Sequence, residues 1–186
     1  LGLGHAVLCA RDLVGDEPFA VMLADDLIDA QTPCIRQLVE IFAETHESVI
    51  ALMEVPLEDV HQYGVIKGKE LRKRVYQVEA TVEKPLAKDA PSKMAIIGRY
   101  VLRPEIFTIL QNLPAGKGGE IQLTDGLSQL VRERKIFGCE FEGDRYDIGD
   151  KFGFVRATVA YALKRADLKD RVAEYLKSLV ATNQAR

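Results

Sequence analysis

Two aspartates offer the first chemical possibility in this chain. Asp25 follows the apolar run Phe19-Ala20-Val21-Met22-Leu23, and Asp147 stands in Tyr146-Asp147-Ile148-Gly149-Asp150 ahead of a helical stretch. In open α/β sheets ligands bind beyond the carboxyl ends of strands, so separated acids at such ends can converge on one site. A pair of this kind suits Mg²⁺, which takes one or two carboxylates and fills its octahedron with water and phosphate oxygens. Such a metal offsets charge on a phosphoryl or nucleotidyl group in transfer. The competing reading makes these acids ordinary turn or capping residues. Asp26 is the poorer metal candidate, expected to face solvent or stand behind the ligands.

Val82-Glu83-Lys84-Pro85 is the next cluster. The proline predicts an extended exit from a strand. Adjacent strand residues point to opposite faces, but at a strand end both can reach one site. A carboxylate there can accept from sugar hydroxyls and an ammonium can neutralise a phosphate; alternatively the two form a surface ion pair of little worth. Glu120, in Gly118-Gly119-Glu120-Ile121-Gln122-Leu123-Thr124-Asp125, is either a further hydroxyl acceptor or an acid favoured at a helix start by the dipole. His5, after a glycine turn, is the one histidine placed near a ligand. His46 and His61 are expected at the surface, and the three show no zinc spacing.

These residues need a frame. Phe19–Leu23 and Ser48–Met53 read as strands, the first buried on both faces, with a helix opening at Thr32-Pro33 between them. Thr32 suits an N-cap, and Ile35, Leu38, Val39 and Phe42 form one stripe. That order predicts a βαβ unit. A short helix is expected from His5 to Arg11, and Gly15-Asp16-Glu17-Pro18 ends it. Residues 63–67 and 74–82 read as a hairpin, 94–102 and 136–141 as strands, Pro104 as the start of a short helix, and 121–134 as a longer one. The tail, about 151–186, is helical, with one stripe of Phe152, Val155, Val159 and Leu163 and a second of Leu168, Val172, Tyr175, Leu176 and Leu179. The fold class is α/β: a mixed, mainly parallel sheet flanked by helices.

Composition excludes several classes. Hydrophobic residues make up 47% and charged residues 28%, with a net charge of -3, which gives no support for a nucleic-acid partner. No run reaches the roughly 18 apolar residues of a membrane span. Cys9, Cys34 and Cys139 are odd in number and widely spaced, so buried, reduced thiols and a cytoplasmic location are expected. No Walker loop, nucleophile elbow or GxGxxG fingerprint is present.

The clusters taken in order resemble one family. They are Gly2-Leu3-Gly4-His5-Ala6-Val7, Gly15-Asp16-Glu17-Pro18, Leu23-Ala24-Asp25-Asp26, Gln62-Tyr63-Gly64-Val65, Val82-Glu83-Lys84-Pro85, Ile97-Gly98-Arg99-Tyr100, Gly119 to Asp125, and Asp147-Ile148-Gly149. The resemblance is to bacterial UTP–glucose-1-phosphate uridylyltransferases and covers nearly the whole chain. It implies a Rossmann-like nucleotide-diphospho-sugar transferase fold, incomplete at its N-terminus, the chain being the C-terminal portion of one catalytic domain. It also implies conversion of UTP and glucose 1-phosphate to UDP-glucose and pyrophosphate, with Mg²⁺, by direct displacement at the α-phosphorus.

Carried over residue by residue, the resemblance puts Gly4 against the uracil ring, with His5 beside it. Asp25 and Asp147 match the metal carboxylates, and Glu83 and Glu120 the sugar-hydroxyl acceptors. Lys84 matches the lysine facing the sugar phosphate, and Gly64 and Gly98 glycines of the glucose pocket. It further implies a homo-oligomer. Ala24 departs from the proline of many relatives, which bears on loop stiffness only. The family's Gly-rich loop, with an Arg and a Lys that grip the triphosphate, has no counterpart in these residues. The polypeptide alone is therefore expected to be inactive. A metal-dependent glycosyltransferase and a non-catalytic sugar-nucleotide-binding module are the rival readings; the first would leave Glu83, Lys84 and Glu120 without assigned work.

Overall fold

The apolar run Met94–Leu102 forms a strand along its full length, and the main sheet is organised around it. The computed structural model describes residues 1–184. Its elements are α1 (Leu3–Leu8), α2 (Arg11–Val14), β1 (Phe19–Met22), β2 (Asp26–Asp29), α3 (Cys34–Thr45), β3 (Ser48–Glu54), β4 (Gly64–Arg72), β5 (Val75–Glu83), β6 (Met94–Leu102), α4 (Glu105–Asn112), α5 (Leu123–Glu133), β7 (Ile136–Glu140), β8 (Asp144–Asp147), α6 (Lys151–Lys164) and α7 (Lys169–Gln184). Two units emerge: the first holds residues 1–23 and 30–143, the second residues 24–29 and those from 144 onward.

In the first unit the strand order is β1-β6-β3-β7-β5-β4. Alternation decides which side chains meet which helix. Ile50 and Leu52 join Ile106 and Leu110 of α4 and Leu123, Leu127 and Leu130 of α5 in one buried cluster. Each such side chain contributes about 1.5–3 kcal/mol when fully buried. Leu38 and Ile41 of α3 are buried outside that cluster. Val49 and Ala51, the alternate residues of β3, are likewise buried outside it, and α3 packs on β3 and β6, so α3 covers the opposite face.

The sheet is mixed and flanked by helices, but it is not mainly parallel. Only β3–β7 pairs in parallel; β1–β6, β3–β6, β5–β7, β4–β5 and β4–β6 are antiparallel. The expected crossover exists, since β1 and β3 run in the same direction. β6 lies antiparallel between them, and the hairpin β4–β5 adds further antiparallel neighbours. As the outer strand, β1 alternates between half-buried and exposed residues rather than being covered on both faces.

Other local differences have simple causes. The buried stripe of α3 is Cys34, Leu38 and Ile41, with Val39 exposed, so the helix is rotated relative to the expected stripe. Pro33, not Thr32, stands at its cap, and no side-chain cap bond forms. The opening helix breaks into α1 and α2 at Cys9 and Ala10. Cys34 and Cys139 are buried as expected, but Cys9 is exposed because it caps α1 at the surface, with its sulfur 3.7 Å from His5 Nδ1. Tyr76 donates to Glu140 Oε2 at 3.1 Å.

The second unit comprises β2 and β8, paired antiparallel, with α6 and α7. Asp150 caps α6 by accepting from Gly153 N at 2.7 Å. Tyr146 meets Tyr161 edge-on, and Lys164 pairs with Asp29. On α6 only Gly153 and Ala157 are buried, while Phe152, Val155 and Leu163 of the expected stripe are exposed. Residues 185–186 of the expected helical tail lie outside the described residues. Among the described residues no helix is long and apolar enough to cross a membrane.

Candidate functional site

Asp25 and Asp147 lie in the second unit and the other candidate residues in the first. In the first unit one group centres on the last rung of the β4–β5 hairpin, where Gly64 faces Glu83. A side chain on Gly64 would begin 2.7 Å from Thr124 Oγ1 and 3.3 Å from Glu83 Oε2, so glycine is required there. Thr81 Oγ1 donates to the Thr124 carbonyl at 2.9 Å, which ties β5 to the start of α5. The Glu83 side chain is 10% exposed, and Lys84 Nζ lies 3.6 Å from its Oε1.

Lys84 does not leave the strand extended. Its φ is 46°, a left-handed conformation that costs a non-glycine residue energy. Its N–H donates to Tyr63 O at 2.9 Å, continuing the ladder to the residue before Pro85. The left-handed residue stands at the strand end with its ammonium beside the Glu83 carboxylate. Asp125, at the start of α5, has its carboxyl held above the usual range by burial and by the Glu83 charge.

Gly98 lies in a bulge. The β3–β6 register jumps from Ile50–Tyr100 to Ala51–Ile97, leaving Gly98 and Arg99 outside it. The Gly98 carbonyl accepts from Leu23 N–H at 2.9 Å, and Arg99 Nη1 donates to Leu23 O at 2.8 Å. The bulge thereby fixes the end of β1.

Gly4 is buried against the entry to α5. Its N–H donates to Ile121 O at 2.8 Å, and a side chain would meet that oxygen and Ile121 Cγ2 at 2.8 and 2.9 Å. The fold's own packing therefore accounts for this glycine without a base ring. Glu120 is exposed, and Gln122, the residue that precedes α5, donates from Nε2 to Glu120 Oε2 at 2.9 Å. The same packing brings it to the opening segment, since a side chain on Gly2 would meet Glu120 Cβ at 2.8 Å. The Gly2–Gly4 segment and Glu120 are thus brought together, as are Gly64, Glu83 and Lys84, while the His5 ring lies against Cys9.

The second unit holds Asp25 and Asp147, with Asp147 closing β8. A side chain on Gly149 would begin 3.2 Å from Asp147 Oδ1 and 3.3 Å from Asp25 Oδ2. The missing side chain leaves a gap flanked by two carboxylate oxygens. That donor set fits Mg²⁺, which needs few protein carboxylates. Among the described residues no cluster of three or more His, Cys, Asp or Glu forms a fuller metal cage.

Asp26 is not solvent-facing. It is 5% exposed and paired with Arg145, whose Nη2 also donates to Asp147 Oδ2 at 3.0 Å. Sequence reasoning passed over Arg145, although it stands two residues before Asp147 and so on the same face of a strand. The signal was weak because β2 and β8, each four residues and rich in charge, lack a strand-like apolar pattern.

The first unit thus carries a Glu-Lys pair at one strand end of a mixed α/β sheet, and the second a carboxylate pair around a glycine. Residues 1–164 match the nucleotidyl transferase family, and the chain belongs to it. It is 48% identical over 178 residues to UTP–glucose-1-phosphate uridylyltransferase 2 of Staphylococcus saprophyticus, covering 96% of this chain and 62% of that one. It is 46% identical over 179 residues to the UTP–glucose-1-phosphate uridylyltransferase of Bacillus subtilis, covering 96% and 61%. A solved UDP-glucose pyrophosphorylase in complex with UDP-glucose superposes with a TM-score of 0.85 at 44% identity, over 88% of this chain and 63% of that one. The chain spans about three-fifths of the length of the curated relatives it matches.

Proposed function

We propose that the protein to which this chain belongs is a UTP–glucose-1-phosphate uridylyltransferase. A phosphate oxygen of glucose 1-phosphate attacks the α-phosphorus of UTP, UDP-glucose forms and pyrophosphate leaves. The observation that carries this reading is the likeness to two proteins of that name across 96% of the chain.

The residues suit the roles. Glu83, little exposed and directed to the Gly64 end of the hairpin, accepts from sugar hydroxyls. Lys84, placed beside it by the left-handed turn, neutralises the sugar phosphate. The backbone at Gly64 and Gly98 leaves room for the sugar, Glu120 adds an acceptor, and Gly4 and His5 line the base edge. Asp25 and Asp147 would hold Mg²⁺, which when bound offsets charge on the phosphates. No covalent enzyme intermediate is needed; positioning and charge stabilisation suffice.

The test, on the full-length protein, is pyrophosphate release from UTP and glucose 1-phosphate, with Asp147→Asn as the diagnostic variant. The variant is expected to lose Mg²⁺-dependent turnover while keeping its circular dichroism. Unchanged turnover would remove the metal role, and no pyrophosphate from these substrates, with UDP released instead from UDP-glucose and an acceptor, would replace the reading with a glycosyltransferase.

A further inference from the structure

Asp26 and Asp147 stand directly opposite each other in the β2–β8 pair. Like charges in that position repel. Burial of Asp26 sharpens the problem, because a buried carboxylate without a partner is expensive. Arg145 resolves it. Its side chain is 10% exposed and lies on the same face as Asp147, with Nε on Asp26 Oδ1 and Nη2 on Asp147 Oδ2. The planar guanidinium can serve both acids at once because its donors point in fixed, different directions.

The consequence concerns Asp147 more than Asp26. One of its oxygens, Oδ2, faces a cation of the protein itself. The other, Oδ1, accepts from Gly149 N–H at 3.1 Å and borders the gap shared with Asp25 Oδ2. A metal approaching from that gap meets one oxygen of Asp147, while the second is occupied and shielded by positive charge. Ca²⁺ takes more ligands and often a carboxylate in bidentate fashion, whereas Mg²⁺ takes single oxygens in a small octahedron.

We infer that Arg145 is a positioning residue that keeps Asp147 a one-oxygen ligand and so biases the carboxylate pair toward Mg²⁺ over Ca²⁺. This rests on the metal reading above and assigns Arg145 and Asp26 a role in ion choice. It makes Arg145 more than compensation for a buried acid.

Metal binding, independent of turnover, tests it. Mn²⁺ bound to the protein is followed by electron paramagnetic resonance, and Mg²⁺ and Ca²⁺ are titrated in as competitors. Arg145→Met is combined with Asp26→Asn so that no buried carboxylate is left unpaired. The ratio of Ca²⁺ to Mg²⁺ affinities is expected to shift toward Ca²⁺ by roughly tenfold, the lower end of outer-shell effects at metal sites. A ratio equal to the parent's in a folded double variant overturns the proposal. Arg145→Lys keeps a cation against Asp26 and carries the same comparison should the double variant not fold. A point charge cannot reproduce the fork, so it too is expected to shift toward Ca²⁺, and full parental selectivity in it overturns the geometric claim. Absence of Mn²⁺ binding to the parent protein itself would strike the metal reading first and this inference with it; binding with unaltered selectivity strikes the inference alone.

Discussion

Replacing Lys84 by alanine and, separately, by glycine distinguishes what its backbone costs from what its ammonium does. Both variants lose the contact with Glu83, in which the Lys84 side chain is 45% exposed. An ion pair that open to water is worth no more than about 1 kcal/mol and is lost equally in both. The variants differ at the backbone. At φ 46° alanine keeps the left-handed penalty of about 1–2 kcal/mol, which glycine escapes. Glycine gives back about 0.4–1 kcal/mol through the greater freedom of its unfolded chain. The net expectation is that the glycine variant is the more stable by about 0.5–1 kcal/mol, which for a chain of this size is about 1–4 °C in melting temperature. Thermal melts followed by circular dichroism measure it. A glycine variant that melts with or below the alanine variant would refute the claim that Lys84 is held under strain. Both variants should be equally poor with glucose 1-phosphate, because neither carries the ammonium.

Further outcomes follow from single contacts. Gly64→Ala places a methyl 2.7 Å from Thr124 Oγ1 and should cost about 1–3 kcal/mol in denaturant unfolding. Adding Thr124→Ala removes the obstructing atoms and should recover a large part of that loss, so purely additive destabilisation would contradict the contact. Tyr76 is pushed up to about 12, first by burial and then by its bond to Glu140. Its folded value lies above its unfolded one, so the stability it contributes is complete below about pH 10 and is lost as the pH rises through about 12. Alkaline titration of phenolate absorbance, taken as the difference from Tyr76→Phe, should show this late ionisation, and Glu140→Gln should bring it earlier.

Legibility in the sequence followed the strength of local patterning. Met94–Leu102 and Ser48–Glu54 are long and apolar, so their extents were readable; in the hairpin the first strand was cut short at Lys67, because β4 continues to Arg72 through polar, exposed residues that carry no apolar signal. Strand direction was not, because the crossover through α3 resembles a parallel unit whether or not another strand lies between its ends. β6, contributed from later in the chain, takes that place. The candidate acids at strand ends were visible as residue types, and Asp25 and Asp147 do flank one gap. Their support was hidden, since Arg145 gains meaning only when β8 is known to pair with β2. The turn at Lys84 was misread because the following proline argues for an extended residue, whereas Lys84 takes a left-handed φ of 46°. Gly4 illustrates the opposite case, a glycine whose functional reading has a sufficient explanation in packing against Ile121.

The division of the second unit between residues 24–29 and the segment from 144 onward has a consequence for the order of events during synthesis. β2 leaves the ribosome ahead of β8, with Asp26 still lacking Arg145, its partner 119 residues further on. At about 5–20 residues per second that partner follows roughly 6–24 s later. Throughout that interval β2 has no strand to pair with, and the Asp25 carboxylate stands without Asp147. The pairing of these acids is therefore timed by translation: Asp25 and Asp147 flank one gap only after the chain has supplied the strand that completes the pair.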